Sequence, residues 1–333
     1  MRRSRMFEYS PVELLDSEST PERPEVLIVE DLNADVPPEL SSSLRLRFAP
    51  GVWQDADAFQ EALAGCQGLV VRNKAMVNRE LLANAPRLKV IGRLGVGLDN
   101  VDLDAARDYG VAVVYPPDAN TDAVAEYCLA QSINALPLIP AAQADASAGR
   151  WNRSQFIGRQ LAETTFGIIG YGHTGRRFAN LLLAHGATVL ATTRHPEGAP
   201  PAVEILSLSD LLTRADVISL HVASTPATYH LLDREAFGFV RPNAILINTS
   251  RGDVVDEVAL LDALNSGQIS LAILDVRHRE PPDKPDPLAH HPKVWVTPHI
   301  AAFTALAQAH VLRVVLSDIL AVIKGRTPDA RAA

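Results

Sequence analysis

Short runs of four or five apolar residues alternate along this chain with stretches whose apolar positions recur every three or four residues. The first kind reads as strands buried on both faces, the second as the helices that cover them. In the N-terminal third, strands are expected at 26–30, 44–48, 68–72, 88–92 and 111–115, with helices at 58–64, 78–83 and 102–109. Alternation at this interval predicts βαβ units and a parallel sheet. Residues 116–120, Pro-Pro-Asp-Ala-Asn, break the pattern and read as a hinge. A helical run then starts at Thr121 or Asp122, either a candidate cap, and reaches about Leu138; a second ends near Gly149 to Trp151. Strands at 166–169, 187–191, 217–220, 244–248, 271–275 and 294–297, with a helix at 208–215, predict a second doubly wound unit over 118–303. The amphipathic helix at 305–324 lies past that unit and is expected to return to the first. Residues 1–24 are polar, carry Pro11, Pro21 and Pro24, and read as a loose tail.

The strand at 166–169 ends in Gly170-x-Gly172-x-x-Gly175, which opens a helix with Phe178, Leu181 and Leu182 on one face. Strand, spacing and helix together match a dinucleotide-binding turn. Gly170 makes the tight turn, Gly172 lets backbone approach a pyrophosphate, and Gly175 lets helix and strand pack closely. The amides of His173 and Thr174 would face the phosphates. In such a fold the end of the next strand meets the adenosine ribose, where a carboxylate binds the hydroxyls and repels a 2′-phosphate. Here it ends Thr192-Thr193-Arg194-His195. Hydroxyls and a cation stand where a carboxylate would, which favours NADP(H) over NAD(H).

Composition adds bounds rather than chemistry. The 333 residues leave room for two domains, and 47% hydrophobic with 21% charged residues is ordinary for a globular protein. A net charge of −8 argues against a general nucleic-acid surface. Cys66 and Cys128 have no metal-ligand spacing and suggest no disulfide framework, so no metal is expected and both read as small buried hydrophobes. No apolar run is read as a membrane span, and the basic Met1 to Arg5 lacks the apolar stretch of a secretory signal, so a cytoplasmic location is expected.

Three polar groups follow strands of the second half: Arg251 after Asn248-Thr249-Ser250, Glu280 in the loop after Asp275, and His299 after Thr297-Pro298. Ligands in open α/β sheets bind at the carboxyl ends of strands, so all three can converge on one cleft. A fixed cation, a proton-transfer imidazole and a carboxylate to orient it form a set suited to handling a carboxylic acid substrate.

From about Leu69 to Thr304 the chain resembles the D-isomer-specific 2-hydroxyacid dehydrogenase family. The resemblance rests on Val71-Arg72-Asn73, the run from Val90 to Asp102, Asn120-Thr121 with Val124-Ala125-Glu126, and Gly149-Arg150-Trp151. It continues through the glycine motif, Asn248 to Gly252, Asp275-Val276 with Glu280-Pro281, and Thr297 to Ile300. The resemblance implies a flavodoxin-like substrate domain (25–117 plus 304–333), an inserted Rossmann cofactor domain (118–303), and a homodimer formed through the latter. It implies Arg251, Glu280 and His299 as catalytic residues. Substrate contacts fall on Arg72, Asn73, Leu94 and Gly95, together with Arg251 and His299. Cofactor contacts fall on Val96, His221, Val222, Thr249, Ser250, Asp275, Ala301 and Ala302, besides the glycine turn and Thr193 to His195. Arg72 either meets a second anionic group on the substrate, as in phospho-, sulfo- or phosphono-pyruvates, or braces its own domain. Glyoxylate or hydroxypyruvate reduction and a non-enzymatic NAD(P)-sensing protein are the rival expectations. The family's formate enzymes carry Gln where Glu280 stands, which argues against formate. The chain ends soon after its last helix, so an appended regulatory domain is not expected.

Overall fold

The structure, a computed structural model, describes residues 23–332; most of the expected N-terminal tail, residues 1–22, lies outside the described residues. The first sheet contains β1 (Glu25–Ile28), β2 (Arg45–Phe48), β3 (Gly68–Val71), β4 (Val90–Arg93) and β5 (Ala112–Val114), in the order β2-β1-β3-β4-β5. The second contains β6 (Thr165–Ile169), β7 (Thr188–Thr192), β8 (Val203–Ile205), β9 (Val217–Leu220), β10 (Ala244–Asn248), β11 (Ile269–Leu274) and β12 (Val294–Val296). Its order is β12-β11-β10-β9-β6-β7-β8. All pairings between these strands are parallel, as the alternating pattern predicts. The second order reverses between β6 and β9, which opens a crevice at their carboxyl ends.

The inner strands of both sheets are buried on both faces, which explains why they read as continuous apolar runs, whereas the edge strand β2 is largely exposed. In the first sheet Leu27, Leu69 and Ile91 pack with Phe59, Leu63 and Leu82 on one side. On the other, Val26, Ile28, Val70 and Val90 meet Val311, Leu312, Val315, Leu316 and Ile319 of the helix Ala305–Ile323. Burying each of those larger side chains contributes ~1.5–3 kcal/mol. A Cβ on Gly92 of β4 would lie 2.5 Å from Val315 and 2.6 Å from Ile319, so a glycine is needed for that helix to seat. This helix also corrects the expectation about membrane spans. Its 19 residues and hydropathy of 1.7 would suffice to cross a bilayer by length and composition, yet its apolar face forms part of the first core.

Other differences are local. Asn120, not Thr121 or Asp122, precedes the helix Thr121–Ala135, and no side chain caps it. Asp122 instead accepts a 2.6 Å bond from Arg177 on the glycine-motif helix. The sequence reading passed over β8, which is only three residues long and follows Pro200-Pro201. It also passed over the helices Arg234–Phe239 and Glu257–Ser266, each capped by an aspartate, Asp233 or Asp256, that accepts from first-turn amides.

Candidate active site

The glycine turn follows β6 at the crevice. Gly170 has φ +97°, and a Cβ there would lie 2.4 Å from the His221 carbonyl oxygen. A Cβ on Gly175 would lie 2.1 Å from the Gly170 carbonyl oxygen, whereas one on Gly172 would meet nothing within 4 Å. Gly170 and Gly175 are thus required by the fold, and Gly172 borders open space. The helix His173–Ala184 begins here without a side-chain cap, which leaves the amides of His173 and Thr174 without a side-chain acceptor. A nicotinamide dinucleotide fits this cradle, its pyrophosphate at the helix N-terminus over Gly172. Val222 lies on the far side of the turn, 2.8 Å from the Gly170 Cβ position. The His221 ring turns inward against Phe178 and bonds Ser219, and burial pushes it down to about 4. At the end of β7, Thr193 Oγ1 accepts from the His195 amide at 3.1 Å, and Arg194 is exposed.

The expected catalytic groups follow β10, β11 and β12. His299 Nδ1 and Glu280 Oε2 are 2.7 Å apart, both partly open to solvent. Burial alone would raise the Glu280 carboxyl; the His299 bond and charge, the Arg277 amide and the Arg251 cation hold it below its ordinary value. His299 sits at φ +55°, a left-handed conformation that costs a non-glycine residue about 1 kcal/mol or more. Asp275 supports it. Its carbonyl accepts from the His299 amide at 2.9 Å. The Asp275 carboxylate accepts from Thr297 Oγ1 at 2.6 Å and from the Ile300 and Ala301 amides at 2.8 Å. Expected as a cofactor contact, the buried Asp275 is in structural terms the anchor of the histidine turn. Thr249 Oγ1 lies 3.5 Å from Cys128 Sγ, and buried Ser250 bonds Asn248 through both its amide and its hydroxyl. Ala301 is buried beside partly exposed Ala302.

The first domain faces this row across the cleft. Arg251 Nε donates to Asp99 Oδ2 at 2.9 Å, a bond that joins the two sides. A Cβ on Gly97 would lie 1.4 Å from Arg251 Nη2, so the guanidinium rests on the Val96–Gly97 backbone. Arg72 is braced: it donates to the carbonyls of Asp31 and Leu32 and to Gln308 Oε1, at 3.1, 2.9 and 2.9 Å, with Phe303 over its guanidinium. Its loop is held by buried Glu30, which accepts from the amides of Arg72, Asn73, Lys74 and Ala75. Leu94 and Gly95, expected as substrate contacts, both have their N–H groups engaged within the first domain. The Leu94 N–H extends the sheet ladder to Val71 O at 2.8 Å, and the Gly95 N–H closes a tight turn onto Arg93 O at 2.9 Å.

Arg93 is the group that sequence reasoning missed. Its Nη1 lies 1.8 Å from the Gly95 Cβ position, and its Nε is buried without a hydrogen-bond partner. Burial, with the Arg251 cation adding to it, brings Arg93 down to about 10, so it stays charged at neutral pH. Its signal was available in the run Gly92-Arg93-Leu94-Gly95: a cation at a strand's carboxyl end beside a glycine. Glu30, Asp99 and Tyr127 (whose hydroxyl bonds Thr297 Oγ1 at 2.6 Å) also support the site and carry no local signature.

Comparison with known proteins agrees with this geometry. The family described as D-isomer specific 2-hydroxyacid dehydrogenase, NAD binding domain, matches residues 129–301. The D-3-phosphoglycerate dehydrogenase of Mycobacterium tuberculosis is 40% identical over 311 residues, covering 92% of this chain and 58% of that protein. The chain therefore spans somewhat over half the length of such relatives. The TT0316 protein from Thermus thermophilus superposes with a TM-score of 0.84 at 32% identity, covering 93% of this chain and 100% of that one. A glyoxylate reductase from Paecilomyes thermophila superposes with a TM-score of 0.80 at 27% identity, covering 93% and 98%. With its two parallel-sheet domains and its residues 129–301 matching the family's NAD-binding domain, the chain belongs to the D-isomer specific 2-hydroxyacid dehydrogenases.

Proposed function

We propose that this protein interconverts a small 2-oxoacid and its 2-hydroxyacid with NADP(H) in preference to NAD(H). The observation that carries the reading is the His299–Glu280 pair at 2.7 Å, set with Arg251 at the carboxyl ends of strands beside the glycine turn. The bound nicotinamide supplies or accepts the hydride. With Nδ1 bonded to Glu280, His299 has Nε2 free to transfer the proton. It donates to the carbonyl oxygen in reduction and accepts from the hydroxyl in oxidation. The Glu280 carboxylate fixes the tautomer and stabilises the imidazolium. Arg251 holds the substrate carboxylate and polarises the carbonyl.

The absence of a carboxylate after β7, with Thr193 and exposed Arg194 there instead, supports NADP(H). Arg93, partly buried and close enough to Arg251 to feel its charge, with a buried Nε that has no hydrogen-bond partner, supports a substrate carrying a second anion of the phospho-, sulfo- or phosphono-pyruvate type. A second reading, reduction of glyoxylate or hydroxypyruvate, is favoured by the full engagement of Arg72. A panel of these 2-oxoacids with NADPH and NADH separates the two. Arg93→Met should lower kcat/KM for the anionic substrates by ~10- to 100-fold, the worth of a charge-assisted bond, and leave glyoxylate unaffected. Equal losses on both would favour the second reading. The exposed Ile133, Leu138, Trp151 and Ile157, together with a cavity of about 450 Å³ lined by Ile133, Leu136, Pro137 and Phe156, support a homodimer through the cofactor domain, testable by sedimentation.

A further inference from the structure

The loop from Asp275 to His291 carries Glu280 and contains no helix or strand. A segment of this length would not hold a carboxylate in place unaided. At its start, directly after β11, stands Arg277, whose side chain is only 6% exposed. Its guanidinium is gripped from two sides. Nε and Nη2 donate to Glu257 at 2.9 and 3.0 Å, and Nη1 and Nη2 donate to Asp286 at 2.6 and 3.0 Å. Glu257 belongs to the helix Glu257–Ser266 and also accepts from the His278 amide at 3.0 Å. Asp286, near the far end of the loop, accepts from the amides of Leu288 and Ala289 at 3.1 Å. One guanidinium thus ties both ends of the loop to a helix of the domain.

Two contacts connect this cluster to the reacting groups. The Arg277 amide donates to Glu280 Oε1 at 3.1 Å, while Glu280 Oε2 holds His299 Nδ1. A Cβ on Gly252 would lie 1.9 Å from the Arg277 carbonyl carbon and 2.2 Å from the His278 nitrogen. The backbone at 277–278 therefore lies flush on the residue that follows Arg251. Buried ion clusters contribute little net stability, because neutral residues of similar volume often fold as well or better.

We propose that Arg277 is a positioning residue: clamped between Glu257 and Asp286, it fixes the loop that presents Glu280 to His299 and sets its spacing from Arg251. The kinetic part of this inference rests on the dehydrogenase reading given above. Arg277 itself touches no reacting atom.

The test removes the charges together, in Glu257→Gln/Arg277→Met/Asp286→Asn, so that no lone buried charge remains. A companion Arg277→Lys keeps the cation without the paired geometry. Imidazole ¹⁵N spectra, with His299→Asn to assign the signal, report whether His299 keeps its proton on Nδ1. Turnover and NADPH affinity are measured on the same samples. We expect the neutral variant to unfold at a similar temperature and to bind NADPH within about twofold of wild type, with kcat lowered ~10- to 100-fold, as for a misplacement near 1 Å. We also expect it to lose the fixed Nδ1–H signature, and Arg277→Lys to recover part of both. A folded neutral variant with the wild-type imidazole spectrum and kcat within about twofold would overturn the proposal. If the neutral variant does not fold, Glu257→Gln alone, which keeps the Asp286 pair, is read against the same two criteria. If wild-type protein reduces no 2-oxoacid, the functional reading fails, and the imidazole spectrum alone decides for or against Arg277.

Discussion

Replacing Gly172 by alanine separates the structural part of the glycine motif from the part reserved for a ligand. The backbone at Gly172 has φ −82°, which any residue adopts, and a Cβ there would meet nothing within 4 Å. The substitution should therefore leave folding stability within ~0.5 kcal/mol, with the reduced freedom of the unfolded chain acting slightly in its favour. A methyl group at this point occupies the space through which a pyrophosphate approaches the first helical amides. Losing one of those charge-assisted bonds, worth about 1.5–3 kcal/mol, weakens NADPH binding ~10- to 100-fold, at 1.4 kcal/mol per tenfold. Gly175→Ala is the opposite case. Its Cβ would lie 2.1 Å from the Gly170 carbonyl oxygen, so helix and strand must separate, at ~1–3 kcal/mol of stability. Fluorescence titration with NADPH and thermal unfolding with and without cofactor give both quantities. An unchanged NADPH affinity in folded Gly172→Ala would refute the placement of the pyrophosphate.

His299→Ala should lower turnover ~100-fold or more, while NADPH affinity stays near that of wild type; unchanged turnover would remove His299 from the proton-transfer role. Glu280 has its carboxyl held below the usual value of about 4.3, so its contribution to stability is present above that value and is lost as pH falls through the lower folded one. Acid unfolding of Glu280→Gln should accordingly lack this component, and its turnover should fall, because the neutral amide no longer stabilises the imidazolium that forms during proton transfer. Turnover equal to that of wild type would count against the pair. Thr193→Asp should shift kcat/KM away from NADPH and toward NADH by repelling the 2′-phosphate; an unchanged ratio would place cofactor discrimination elsewhere. Asp99→Asn should weaken the fixed orientation of Arg251 and raise KM for the oxoacid about tenfold, the loss of one charge-assisted bond, with NADPH affinity unaffected.

What was legible in the sequence was local in the sequence. Buried parallel strands announce themselves as apolar runs, and the glycine motif, Arg251, Glu280 and His299 each stand just past such a run. What was not legible depends on partners far away along the chain. Whether Arg72 meets an anion or braces its own domain was not legible, because Gln308 and Phe303, which hold it, come from the opposite end of the chain. Arg251 reaches Asp99 across 152 positions. That Asp275 anchors the histidine turn was not legible, because no pattern shows that its carboxylate accepts from two amides around residue 300. That the Leu94 N–H carries the β4 ladder one bond further, to Val71, is not visible in its apolar run. The last helix escaped notice as an apolar span because its charged Arg313 and Asp318 break the run while leaving the mean hydropathy high.

The central claim is hydride transfer coupled to proton transfer by His299. Incubating the protein with NADPH deuterated at the transferring position and the best 2-oxoacid, then locating the label in the product, tests it most directly. Wild type should form a 2-hydroxyacid carrying deuterium at C2, and His299→Asn should lose that product. Tight NADPH binding with no labelled 2-hydroxyacid from any acid of the panel would contradict it and point to a cofactor-sensing protein instead.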